Sequence, residues 1–334
     1  MEQTKPNYRR LIIFAVIILV MIGVLIIALD WHEVRRIIGK AQWHLVLPAF
    51  VFVAISYSCL SYSFVVLNRS FGIKLKQWDL FEIGFVSIVL GHIMSFAGVP
   101  QYSLRLLLMK SRGLAVGDIL APSVFDSYLN NLAMLTLFPI GIIHLFVSHS
   151  LSRGEMVGFG ITVAVVVVVL ILASAIIFGR SIRAVALRVL TKLWHLITHH
   201  NIGNSVQIFD KTLTSGVSVI RSRPLVIALL VALIVGDWTS TVIAVEFCFD
   251  ALGNPIGLGV LVTGFAIGIT AGVLSMVPGG LGVQEGSMAG IYALLGVPFE
   301  QAILAAILFR IVYYFVPFLV SLGFYRRLLS EKIP

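Results

Sequence analysis

The stretch Ser275-Met276-Val277-Pro278-Gly279-Gly280-Leu281-Gly282-Val283-Gln284-Glu285-Gly286-Ser287 puts a helix breaker, turn-forming glycines and a carboxylate inside a region, residues 256–325, that otherwise reads as membrane. A breaker and a charge are each costly in hydrocarbon, where no water solvates an ion or satisfies a freed backbone group. Irregular backbone persists at that depth only where protein or a water-filled cavity satisfies it. Pro278, Gly279, Gly280 and Gly282 are residue types that turn sharply and let backbones approach, so they predict the tip of a re-entrant helical hairpin. Glu285 opens the outgoing half-helix, where unpaired N–H groups stabilise its carboxylate. The chemistry on offer is recognition. Those N–H groups suit an anionic head group, and Glu285 suits an amine or an arginine.

Four other charges lie in apolar surroundings. Arg105 takes the place corresponding to Glu285 in a second broken segment, residues 81–109, which turns at Gly98-Val99-Pro100. There it could hold a phosphate in bidentate fashion. A plain kinked span is the other reading of that segment. Arg310 and Asp237 fall near the middle of apolar spans, where a charge costs about 2.5–3.5 kcal/mol on insertion scales. They are candidates for a lipid-binding site or, alternatively, for a structural ion pair pinning two helices. Asp126, with Asn130 and Asn131 one turn on, predicts a polar, inward face. Glu246 and Asp250 read as interfacial.

The elements that must position these residues follow from composition. Of 334 residues, 59% are hydrophobic and 12% charged, with a mean hydropathy of +1.03. Several apolar runs of about 20 residues define an all-α polytopic membrane protein. Full spans are expected at residues 11–29, 45–67, 119–146, 157–178, 224–249 and 301–323. The first offers no small-x-small cleavage site and reads as an uncleaved span. Cys59 and Cys248 lie in apolar segments and carry no disulfide or metal framework.

The net charge of +9 reports topology rather than nucleic acid. Residues 179–223 carry Arg180, Arg183, Arg188, Lys192, Lys211, Arg221 and Arg223 against Asp210 alone, which places this segment in the cytoplasm with both termini. That parity holds only if residues 81–109 and 257–295 each enter and leave on one side. The outcome is six full spans plus two opposed re-entrant hairpins, eight hydrophobic segments in an inverted-topology repeat. The first repeat is residues 1–147, with its hairpin opening to the cytoplasm. The second is residues 148–334, with its hairpin opening outward. Gly84-Phe85 with Ser95, and Gly264-Phe265 with Ser275, recur at one spacing. Gly264, Gly268 and Gly272 form a small-residue ridge for close helix contact. Residues 180–197 mix cations with Val185, Leu190, Leu193 and Trp194, as an interfacial amphipathic helix does; residues 32–42 read as its shorter outer counterpart.

Val277-Pro278-Gly279-Gly280-Leu281-Gly282-Val283-Gln284-Glu285 resembles the signature of the lysylphosphatidylglycerol synthase transmembrane-region family, the flippase-like membrane proteins. The resemblance is strongest over residues 257–323. It implies a multi-pass lipid translocase or lipid-pathway accessory, with Glu285 in the site. Members act on aminoacylated phospholipids or sit in isoprenoid, hopanoid and glycolipid pathways. In bifunctional members a soluble aminoacyl-transferase domain follows; this chain ends at Pro334, so it is not expected to make lysyl-lipid itself. Two departures stand in the first half. Gln101-Tyr102-Ser103-Leu104 replaces a glycine-glutamate pair, and Phe125-Asp126-Ser127 replaces an acidic-basic pair.

The expected function is therefore translocation of a polar-headed lipid in the cell membrane, without nucleotide, cofactor or metal. His195, His199 and His200 are not read as ligands, and no Walker or Rossmann motif is present. Expected partners are membrane lipids and lipid-biosynthesis enzymes, not nucleic acid. A non-catalytic scaffold and a lipid-modifying membrane enzyme using Glu285 or Asp237 as base are the alternatives.

Overall fold

The computed structural model describes residues 29–94, 99–148, 153–198, 202–275 and 277–330. The described residues are helical and contain no strand. Helix α1 (Trp31–Lys40) begins where the Asp30 carboxylate accepts from the N–H groups of His32 and Glu33, and it buries Val34 and Ile37. A short 3-10 turn (Trp43–Leu45) leads into α2 (Val46–Ser70). Four polar residues of α2 return their side chains to the helix itself. Ser58, Ser61 and Ser70 hydroxyls and the Asn68 amide each donate to the carbonyl four residues earlier, which lets them sit in an apolar environment.

Among the described residues, five helical segments are long and apolar enough to cross a membrane: Trp43–Ser70, Val116–Val147, Met156–Phe178, Pro224–Ala251 and Phe299–Ser330. They correspond to five of the six spans expected from sequence. Residues 11–28 of the sixth lie outside the described residues. The matching helices are α2, α5 (Val116–Ser148), α6 (Arg153–Phe178) and α9 (Pro224–Ala251). The last span is composite: α12 (Phe299–Arg310), a π-helical turn (Ile311–Phe315) and α13 (Val316–Ser330).

Both broken segments fold as helical pairs. The first is α3 (Gln77–Met94) and α4 (Val99–Lys110), with Pro100 in the first turn of α4; Gly98 lies outside the described residues. The second is α10 (Leu258–Leu274), a 3-10 turn (Pro278–Gly280) and α11 (Val283–Leu294). Gly279, Gly280 and Gly282 take φ of 63°, 60° and 74°, a region closed to most side chains. The small-residue ridge of α10 faces α11: a Cβ on Gly264 would overlap the Tyr292 ring, one on Gly268 would overlap Met288, and one on Gly272 would lie 3.0 Å from Gln284 Cβ.

The core joins α2, α3, α9, α10, α11 and α12 through Tyr57, Phe85, Phe249, Phe265, Tyr292 and Phe309. Helices α2 and α9 pack along each other at its centre. Each pair then leans on the span that follows the other pair: α3 on α13, and α10 on α5. A Cβ on Gly141 of α5 would lie 3.2 Å from Thr263 Cα of α10. The turn of the second pair also meets the first, since a Cβ on Gly279 would stand 2.7 Å from the Ile93 carbonyl oxygen. Gly279→Ala combines that overlap with a strained φ, and is expected to destabilise by about 1–3 kcal/mol. Thermal unfolding in detergent measures this.

Residues 179–223 are two helices, α7 (Arg180–Thr198) and α8 (Gly203–Arg221). Sequence reading expects the first and treats the second as connection. Yet α8 packs on α5, where Thr212 donates to Asp118 (2.5 Å) and Leu213 is fully buried. Arg183 of α7 ties α7 to α8 through Asp210 (2.5 Å) and Thr214, and donates to the Ile177 carbonyl at the end of α6. Ile182, Val185, Val189, Leu193 and Leu196 remain exposed along one face of α7.

Candidate functional site

The five charges singled out in the sequence fall into three clusters. In the first, Arg105 of α4 and Asp126 of α5 form an ion pair at 2.8 Å, with side chains 0% and 1% exposed. Arg105 Nε also donates to Ser87 Oγ at 3.0 Å, and its Cζ stacks 4.1 Å from the Phe64 ring centroid. Its buried Nη1 has no hydrogen-bond partner among the described residues. Asn130 joins Asp126, donating to its carbonyl at 3.1 Å. Asn131 is exposed and bonds Ser127 instead. The polar inward face expected of all three residues is therefore Asp126 and Asn130 only, because residues four apart share a helix face.

The second cluster surrounds the turn quoted above. Glu285 of α11 pairs with Arg310 at the end of α12. The other Glu285 oxygen accepts from the Gly282 N–H at 2.6 Å, closing the helix N-terminus as its unpaired donors demand. Arg310 also donates to the Gly279 carbonyl at 2.9 Å and to Gln284 Oε1 at 3.3 Å. Tyr314 donates to the same Gln284 oxygen at 3.0 Å and lies under the guanidinium, 4.7 Å from Cζ to ring centroid. Arg310 thus fastens the end of one helix to the backbone of the hairpin tip.

Asp237 forms the third cluster, apart from any arginine. Ser56 Oγ of α2 donates to its carboxylate at 2.5 Å, and Thr241 Oγ1 lies 3.2 Å from Ser56 Oγ. A structural pair between Arg310 and Asp237, one of the two sequence readings, is not what forms; Arg310 is committed to Glu285.

The second and third clusters are joined by residues that sequence reasoning missed. Tyr57 follows Ser56, and its hydroxyl lies 3.0 Å from His92 Nδ1 of α3 and 3.0 Å from the Tyr313 carbonyl. That carbonyl is the one Pro317, lacking an N–H, cannot serve as the residue four places on. Tyr313 packs 5.1 Å from the Tyr57 ring and 5.3 Å from Tyr314. His92 lies 5.7 Å from Tyr313 and 6.2 Å from Tyr314. The outcome is a polar and aromatic seam from Asp237 to Glu285, running through the π-turn. Such turns insert one residue into a helix and recur at functional sites. The signal available in sequence was Tyr313-Tyr314 with Pro317 just after Arg310.

An apolar groove of about 350 Å³ opens onto this seam, lined by Phe50, Tyr57, Phe85, Val312, Pro317 and Phe324 among others. A second, shallower groove of about 480 Å³ adjoins it along α2 at Val51, Ile55, Cys59 and Tyr62, the two sharing Ala54, Ser58 and Phe81. Nearer the start of α3, buried Glu82 accepts from Arg327 of α13 at 2.8 Å. Where α10 packs on α5, Thr263 lies 3.0 Å from His144.

These features define a polytopic helical membrane protein in which α3 of the first helical pair and the turn of the second border a buried polar seam. The chain belongs to the family described as the lysylphosphatidylglycerol synthase transmembrane region, which it matches over residues 11–321. It is similar to a UPF0104 membrane protein of Methanothermobacter thermautotrophicus, 22% identical over 308 residues, covering 88% of this chain and 90% of the relative. A UPF0104 membrane protein of that organism also aligns at 29% identity over 131 residues, 39% of this chain and 34% of the relative. A phosphatidylglycerol lysyltransferase of Staphylococcus aureus is 29% identical over 86 residues, 26% of this chain but 10% of the relative.

Proposed function

We propose that this protein moves a polar-headed lipid across the membrane: a phospholipid, an aminoacyl-lipid, or an isoprenoid-linked or glycolipid substrate. The observation that carries the reading is the junction at Tyr57, where the apolar groove meets the polar seam. A tail lies in the groove while the head group follows His92, Tyr314 and the Glu285–Arg310 pair. Family membership supports a lipid-related role, and the name of the staphylococcal relatives supports an amine-bearing head group among the candidates.

On this reading the helical pairs are re-entrant hairpins, 81–109 opening to the cytoplasm and 257–295 opening outward, within repeats 1–147 and 148–334. Two features support the inverted repeat. Arg105–Asp126 and Glu285–Arg310 link corresponding elements with the charges exchanged, and each pair crosses to the other half's following span. The basic segment 179–223 and both termini then face the cytoplasm. The protein is not read as an enzyme, because its charges are arranged for recognition.

The test is movement of fluorescent lipids in liposomes containing the purified protein, across zwitterionic, anionic, amine-bearing and polyprenyl-linked head groups. Glu285→Gln at matched folding is expected to slow the preferred lipid by about tenfold or more, the loss of one charge-assisted hydrogen bond. Wild-type movement that the variant leaves unchanged would place the head group elsewhere. A second reading, a non-catalytic accessory to lipid-biosynthesis enzymes, is favoured by the pairing of Arg105 with Asp126 and of Arg310 with Glu285, which engages each charge inside the protein. It predicts that Glu285→Gln and Arg310→Gln leave partner binding intact.

A further inference from the structure

Three buried carboxylates, Asp126, Glu285 and Glu82, each take an arginine. Asp237 does not. It is 4% exposed, midway along α9, and its side-chain partner is the Ser56 hydroxyl, with Thr241 beside it. From α2 it faces Ser56, Tyr57 and Cys59, and from the π-turn it faces Tyr313. Helix α10 carries no titratable side chain, and the charges of α12 are Glu300 at its start and Arg310, held by Glu285. Helix α8 and the 3-10 turn adjoin α9 only towards its two ends. Among the described residues no cation pairs with this carboxylate, and an unpaired ion in such an interior is too costly to persist.

We propose that Asp237 is a proton-binding site, with Ser56 and Thr241 as its hydroxyl partners, and that the proton is the co-substrate of lipid movement. The coupling rests on the translocation reading above. Ser56 is next in sequence to Tyr57, whose hydroxyl reaches His92 and borders the groove. A head group entering at Tyr57 therefore meets the α2–α9 contact that encloses the proton. Its arrival displaces Ser56 from Asp237 and lets the proton leave.

Infrared difference spectra of wild type against Asp237→Asn test the site without any lipid assay. A protonated-carboxyl stretch at neutral pH, lost in the variant, is expected. Its absence overturns the proposal. Thr241→Val, which keeps the carboxylate, should retain the band and alter its titration, and guards against a variant that fails to fold. In liposomes, an imposed pH gradient should change the wild-type initial rate by about fivefold or more, the usual scale of coupling between two sites. Asp237→Asn should move lipid without regard to the gradient. Wild-type movement that ignores pH, or follows sodium instead, overturns the coupling while translocation stands. If no lipid moves at all, translocation and coupling both fall, and the infrared band alone decides the site.

Discussion

Arg105→Gln is expected to destabilise the protein by about 3–5 kcal/mol, the scale on which removing one partner of a buried ion pair acts. The reason lies in what remains. Asp126 is 1% exposed and would keep only the Asn130 amide, 3.4 Å from its other oxygen. Ser87 would lose its donor and the Phe64 ring its guanidinium. Removing both charges in Arg105→Gln/Asp126→Asn leaves no stranded ion, so the double variant should recover most of the loss. Arg105→Lys should fall between, keeping the charge but not the planar contact with Phe64 and Ser87. Thermal unfolding followed with a thiol-reactive dye measures all three, because Cys248 is fully buried and becomes reactive on unfolding. A double variant as unstable as the single would mean that the loss comes from packing rather than from the pair.

Gly264→Val is the second large effect, expected to exceed the usual overpacking range of about 1–3 kcal/mol. The Tyr292 ring lies where the new Cβ would go, and that ring cannot move aside cheaply. It is fully buried, its hydroxyl donates to the Leu261 carbonyl at 2.9 Å, and Phe249 packs against it at 4.9 Å. The arms of the second hairpin must separate. Gly286→Ala, on α11 of the same hairpin, is the control. Nothing lies within 4 Å of its added Cβ, and a helical glycine replaced by alanine gains up to about 1 kcal/mol. Equal losses in the two variants would show that this pair of helices is sensitive to any substitution. Then close approach at Gly264 would not be the cause.

The same residues show what could be read from sequence. Pro278, Gly279, Gly280 and Gly282 announced a sharp turn, because few other residue types adopt the positive φ seen at these glycines. The ridge of Gly264, Gly268 and Gly272 was legible because small residues at four-residue spacing can share only one face. Glu285 was placed with an arginine or an amine as its options, but which arginine depended on packing. Periodicity says which side of a helix is apolar and not which helix it meets, so the Arg105–Asp126 pair stayed unseen although both members were named. The π-turn was hidden for the same reason: it exists through Pro317, Tyr57 and the surrounding contacts. Helix α8 was legible and passed over. Ile208, Phe209, Leu213, Val217 and Ile220 recur at helical spacing, masked by the charge that drew attention to the whole segment.

Helices α4 and α11 are 12 residues each, about 18 Å long at 1.5 Å per residue, against a hydrocarbon core of about 30 Å. At the depth proposed for the hairpins, neither can line the full thickness of the bilayer. A leaflet abutting them must compress or admit water to satisfy the exposed helix ends. The barrier to a head group is set by how much oil it must traverse. If the hairpins re-enter as proposed, the membrane beside these short arms is thinner, and part of the work of crossing is done before any lipid arrives.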